Sequence, residues 1–286
     1  MTESTAPVNY GNDTPISRLL RFWLAVEIFF AFMASTATFF RPEDAATKFA
    51  WPIPVVVMAA ALGVFYAASL PVTIWAVTMK RWQDVRVLSV TLGVFATLMT
   101  LMTVMHHDKF LAGTAAYWVW VISYVVPPPL FAWLYYVHQK QSAPVGTGIT
   151  HPIPGGMRMF LRVNGALLMI VGLTIFVLPA LLVDNAPFKL TPLTARTLAN
   201  IVTGAGLVSI LIAREGDWLR SRLAALLLIL IPPLFIVQFG RYANAVSWAN
   251  PFLLFLLADF FVVGAALVWL WLTVGRRGPM ADPVPS

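Results

Sequence analysis

The chain has 286 residues and is 59% hydrophobic but only 11% charged, well under the roughly 25% charged residues of soluble domains. It contains no cysteine, which excludes disulfides, thiolate metal sites, iron–sulfur clusters and cysteine nucleophiles. The net charge of +7 does not point to nucleic acid, because the basic residues flank apolar runs and no basic tract with interleaved aromatics occurs.

Taken in chain order, eight apolar runs are long enough to cross a hydrocarbon core of about 30 Å as helices. They cover 18–40, 52–78, 87–106, 115–137, 160–182, 195–213, 222–240 and 251–274, the third and seventh being short. The first 15 residues are polar, and the run after them is too long for the apolar part of a cleavable signal. It reads as a retained first helix. Backbone polar groups in lipid must be satisfied within their own segment, so the pattern predicts an all-α polytopic membrane helix bundle with eight transmembrane helices. With the N-terminus in the cytoplasm, 13 Lys and Arg fall inside, among them Arg18, Lys80, Arg158, Arg276 and Arg277, against 6 outside. The positive-inside rule then predicts N-in/C-in topology, in a bacterial plasma (inner) membrane.

Residues 138–157, which include "HQKQSAPVGTGITHPIPGG", are rich in Pro, Gly, Ser and Thr and read as a flexible cytoplasmic linker. The linker separates a four-span unit in 1–137, with a polar N-terminal tail, from another in 158–286, with a short C-terminal tail. The two units echo each other. Arg81-Trp82-Gln83-Asp84 after the second span matches Arg214-Glu215-Gly216-Asp217 after the sixth, "VVPPPLFAWL" matches "VVGAALVWLW", and "LLRF" matches "FLRV". On this alignment Leu168 stands opposite Glu27 and Ile122 opposite Asp259. Four spans are an even number, so the expectation is a tandem, parallel repeat about an axis near the membrane normal.

Pro127, Pro128 and Pro129 fall opposite Gly264-Ala265-Ala266 in that alignment. Small residues let helix backbones approach closely, and a proline triplet frees carbonyls about one turn earlier, near Ser123 and Tyr124. Pro71, Pro232 and Pro233 mark similar breaks. Such prolines either kink helices that shape the bundle or open a broken helix onto a cavity.

The segment "FKLTPLTARTLANIVTGAGLVSILIAREGDW", Phe188 to Trp218, resembles segments of a family of uncharacterised bacterial multi-span integral membrane proteins. They carry a Thr-Pro-Leu-Thr-Ala-Arg run before one span and an Arg-Glu-x-Asp-Trp run after it. The resemblance covers about a tenth of the chain. It implies a membrane-embedded helical protein and no particular activity. From the residues themselves, Thr191 is placed to cap the sixth helix with Pro192 at its first position. The charges Arg81, Asp84, Arg214, Glu215, Asp217 and Arg220 are expected at the cytoplasmic face, as a staple between spans or a docking point for a cytoplasmic or anionic-lipid partner.

Two acids lie inside spans. Glu27 is about 13 Å along the helix from Arg18, and Asp259 about 12 Å from Pro251, so both sit near mid-membrane. Intramembrane acids are functional candidates by default. They could meet, share a proton or hold a cation with oxygens from Ser35, Thr36 and Thr38. Alternatively, each is protonated or hydrogen-bonded to a neighbouring helix, near Asn164 or Asn200. His106 and His107 in "MHHDKF" are weak metal or haem-ligand candidates; otherwise they are interfacial histidines ending a helix. The tryptophans, including Trp75, Trp82, Trp118, Trp120, Trp133, Trp218, Trp248, Trp269 and Trp271, read as an interfacial belt.

No phosphate-binding loop, zinc-protease helix or nucleophile elbow occurs in the sequence. The expected function is a small transporter or channel-like protein for a proton, ion or small solute, needing no cofactor. The alternatives are a non-catalytic membrane subunit or scaffold that binds another membrane protein or lipid, and a haem-binding redox protein. The expected partners are the lipid bilayer and a membrane protein or a second copy of the chain, with no nucleic acid.

Overall fold

The structure, a computed structural model, describes residues 14–275. The N-terminal tail to residue 13, Arg276, Arg277 and the rest of the C-terminal tail lie outside the described residues. The described chain is all-helical, without a strand. Eight segments are long and apolar enough to cross a membrane, which makes this a multi-pass membrane protein. The first is α1 (Arg18–Ser35), prolonged by a π-helical turn, Thr36–Phe40. The second and third are α2 (Val56–Thr78) and α3 (Trp82–Met105). The fourth is split into α4 (Ala115–Val125) and α5 (Pro127–Gln139). The others are α6 (Gly155–Val177), α7 (Pro192–Glu215), α8 (Trp218–Arg241) and α9 (Pro251–Thr273).

Helix starts follow local side-chain chemistry. Ser17, Thr114, Asp217 and Asn250 each accept a backbone N–H three residues on, satisfying a donor that the first turn leaves free. Thr191 and Thr194 form a reciprocal capping box ahead of α7, with Pro192 at the first position. The third and seventh spans are longer than hydropathy alone predicts. Both begin at a tryptophan, ahead of Arg86 and Arg222, and of the two only the seventh has a side-chain cap, Asp217. The fifth span is shifted toward the N-terminus: it starts at Gly155 and stops at Val177, just before Pro179.

Packing is organised around α2, α3, α7 and α8. Helix α2 packs on α8 and α3 on α7, while α3 and α8 also meet. The other spans lie outside these: α1 on α2, α4 and α5 on α3, α6 on α7 and α9 on α8. The most extensive seam, between α6 and α7, depends on glycine. A Cβ on Gly165 would stand 2.6 Å from the Gly206 carbonyl, and one on Gly206 2.6 Å from the Gly165 carbonyl, so backbone meets backbone.

The first four and last four spans start at matching intervals: residues 18 and 155, 56 and 192, 82 and 218, 115 and 251, always 136 or 137 apart. Their entry segments bond alike. Pro15 bridges Arg81 and Pro152 bridges Asp217. Ile16 N–H donates to the Lys80 carbonyl as Ile153 N–H donates to that of Gly216, and Trp82 N–H to Thr14 as Trp218 N–H to His151. At these intervals Arg81 precedes Asp217 by 136 residues and Glu27 precedes Asn164 by 137.

Residues 138–157 are not a free linker. Arg86 donates to the Ala143 carbonyl, Arg220 to those of Thr147 and Gly148, and Thr14 to that of Gln141. Asp217 Oδ2 accepts from the Thr150 and His151 amides. Gly146 and Gly148 take positive φ of 80° and 57°, which lets the strap turn between these anchors.

Candidate functional site: a carboxyl-bearing cavity within the membrane

Between α1, α2, α3 and α4, closed at the back by α7 and α8, lies a cavity of about 390 Å³. Its wall is mostly apolar and aromatic, including Phe30, Phe65, Phe95 and Trp120. Its polar lining is one carboxyl residue, Glu27, with Lys48 and the hydroxyl-bearing Ser69, Thr73, Thr91, Ser123, Tyr66 and Tyr124, of which the Ser and Thr hydroxyls donate to carbonyls of their own helices. Trp23 Nε1 donates to Glu27 Oε1 at 3.1 Å from one turn before, on the same helix. The Tyr66 and Tyr124 hydroxyls bond each other at 3.0 Å across the cavity, and both rings are buried. Helices α1 and α4 touch only slightly, so the cavity is bounded there by few side chains. One end is closed by packed rings: Trp51 lies 4.7 Å from both Phe49 and Trp120, centroid to centroid.

The prolines shape this site. Pro127, Pro128 and Pro129 divide the fourth span at Val126, which keeps helical dihedrals (φ −75°, ψ −43°), so the span is interrupted without turning back. The Tyr124 carbonyl that loses its intrahelical donor accepts from Thr100 Oγ1 of α3. The interruption thus sets Ser123 and Tyr124 on the cavity wall. Pro71 and Pro232-Pro233 lie inside unbroken helices, α2 and α8. Pro232 packs against Gly264 of α9, where a Cβ would stand 3.1 Å from its ring.

Asp259 is not part of this cavity. Helix α1 packs on α2 and α9 on α8, and no extended α1–α9 contact exists, so the two acids do not assemble one cation site. Asp259 lies against Asn164 of α6, without a formed hydrogen bond: Asp259 Oδ2 and Asn164 Nδ2 both stay unpartnered. Asn200 serves another purpose, donating from α7 to the Phe95 carbonyl of α3 at 3.0 Å.

Arg81, Asp84, Arg214 and Asp217 do not form one cluster. Arg81 forks onto Asp84, and Asp217 caps α8 and grips the strap. Arg214 is exposed and, among the described residues, has no hydrogen-bonded or ionic partner. The strongest pair was not predicted: Arg86 of α3 meets Glu215 of α7 at 2.5–3.2 Å, both nearly inaccessible. Sequence showed both residues but not that α3 lies against α7. Trp82 and Trp218, read as belt residues, are fully buried and Trp120 nearly so, while Trp118, Trp133, Trp248 and Trp269 are exposed as expected.

At the other face His106 caps α3, and its Nε2 accepts from Arg196 at 2.7 Å. Burial, then the Arg196 charge, hold the imidazole below its ordinary pKa. Its lone pair is therefore engaged, and His107 is exposed. Among the described residues no three His, Asp or Glu gather as a metal site. Tyr242, which follows α8, donates to Glu43. That bond lowers the Glu43 pKa, and burial followed by the bond raises the Tyr242 phenol to about 12.

Comparison with protein families, curated proteins and solved structures finds no match.

Proposed function

We propose that the protein is a small transporter or channel-like protein that moves a proton, ion or small solute through the Glu27 cavity. The observation that carries the reading is a cavity between membrane-spanning helices with a single carboxyl, Glu27, on walls that are mostly apolar, with hydroxyl-bearing side chains among them and Lys48 on the lining. A lone carboxyl there can take up and release a proton, and a hydroxyl-lined apolar cavity suits a small, weakly polar solute. We further read the chain as a duplicated four-span unit in a bacterial plasma membrane with both termini cytoplasmic. The matching helix intervals and paired entry bridges support the duplication, and the excess of Lys and Arg on one side supports the orientation.

The test is proton flux in proteoliposomes loaded with a pH-sensitive dye and driven by a potassium diffusion potential, alone and with small-solute panels. Glu27→Gln should fold as wild type and reduce flux at least about tenfold, consistent with loss of a proton-transfer group, while Asp259→Asn retains most of it. Flux in Glu27→Gln equal to wild type sinks the site. A wild-type protein without flux that co-purifies with a stoichiometric membrane partner would instead establish a subunit or scaffold role.

A further inference from the structure

A second cavity, of about 400 Å³, lies between α3, α5 and the end of α7, remote from Glu27 and independent of the transport reading. At its polar end are Arg86, Arg214 and Glu215, with Val145 of the strap as a lip. Arg220 lies 3.6 Å from Glu215. Two guanidinium groups, Arg86 and Arg220, therefore flank one carboxylate, and with Arg214 on the same lining the local charge is positive. Arg86 is consumed by Glu215, but Arg214 is exposed and unpaired among the described residues. Ser89 adds an independent observation. It lines the cavity, is 2% exposed, and its Oγ has no hydrogen-bond partner. A buried hydroxyl left without a partner is unfavourable, and a ligand oxygen reaching it would satisfy it.

The remainder of the cavity is apolar. Val90, Gly93, Val94 and Thr97 continue down α3, facing Pro128, Phe131 and Ala132 of α5. Arg86 to Thr97 spans about 16 Å at 1.5 Å per residue, and the hydroxyl of Thr97 is turned back onto the Gly93 carbonyl. Gly93 keeps the groove open, since a Cβ there would stand 3.1 Å from Phe131. Positive charge at one end and a lipid-length apolar channel at the other match a phospholipid, whereas a free phosphate would use only the end. We propose that this groove binds one anionic phospholipid, its phosphate against Arg214 and Ser89 and an acyl chain along Val90, Val94 and Phe131.

Native mass spectrometry of the full-length protein, released from nanodiscs of phosphatidylcholine with phosphatidylglycerol, tests this. One retained phosphatidylglycerol per chain is expected, in at least about tenfold preference over phosphatidylcholine. Arg214→Gln should remove the preference, and Ser89→Leu, which fills the groove beside it, should remove the bound lipid. Arg162→Gln, an exposed arginine of α6, should change neither. Equal retention of both lipids, or equal loss in Arg162→Gln, overturns the proposal, since either means unspecific surface charge. Displacement of the lipid by millimolar inorganic phosphate would also overturn it, in favour of a small-anion site. If Ser89→Leu fails to fold, the Arg214→Gln result still decides, because that side chain is exposed.

Discussion

Two regions of the molecule, one mainly in each half of the chain, are packed in opposite ways. In the first, the space between the outer and inner helices is a cavity of about 390 Å³ carrying Glu27 and several hydroxyls. In the second, the space among α6, α7, α8 and α9 is reduced to about 50 Å³, lined by Phe188, Phe235, Phe239, Phe252 and Phe260 with no polar group. Phe235 and Phe260 stack at 5.9 Å and Phe235 and Phe239 lie 5.0 Å apart. The backbones start their helices at the same intervals, so side-chain volume and not topology separates an open half from a filled one. In lipid, apolar helices gain little from merely touching. A space between them therefore persists unless side chains fill it.

A second contrast concerns Arg86 and Arg222, four residues into the helices that begin at Trp82 and Trp218. Arg86 is buried against Glu215, while Arg222 lies over the Trp75 ring at 5.2 Å. The largest expected effect therefore belongs to Glu215→Gln. It leaves the buried Arg86 charge without its counter-ion and should cost about 3–5 kcal/mol, against about 1 kcal/mol for Arg222→Gln, which loses a cation–π contact. Thermal unfolding in detergent compares them, and equal shifts would mean that the ion pair is not buried.

Of similar size is Phe235→Ala, expected to cost about 3–5 kcal/mol because a packed ring is removed. Leu92→Ala, on a wall that already faces the open cavity, should fall below the about 2 kcal/mol lower limit for such truncations. Equal costs would show that the first-half cavity is filled in the protein. A smaller effect, about 1–3 kcal/mol, is expected for Thr100→Val, which strips the donor from the Tyr124 carbonyl. The second half has no proline triplet and should have no comparable site.

The smallest effect is pH-linked. The ends of α3 and α8 are each tied across to the other half, His106 to Arg196 and Tyr242 to Glu43. His106 has a lowered folded pKa, so the unfolded chain takes the proton first. Its contribution is complete above the ordinary value of about 6.5 and is lost as pH falls through it. Glu43, also lowered, keeps its contribution until pH falls through the ordinary carboxylate value of about 4.3. Melting temperature should therefore fall as pH drops below about 6.5 in wild type, and fall less in His106→Gln. An equal fall in both would assign it elsewhere.

Hydropathy and charge by themselves determined the eight crossings, because span length is set by bilayer thickness and unbroken apolar runs can be counted along a chain. They also marked Glu27 and Asp259 as unusual, the Ser123 and Tyr124 carbonyls as freed, and Thr191 as a cap, since each depends only on near neighbours in sequence. What only the tertiary structure decided is which surfaces meet. That Glu27 faces a cavity and Asp259 faces Asn164, that Arg86 finds Glu215, and that phenylalanines fill one half and leave the other open all depend on helix rotation and pairing. Those are set by side-chain volumes and by glycines such as Gly165 and Gly206, whose partners lie on other helices and are therefore invisible to a pattern read along one.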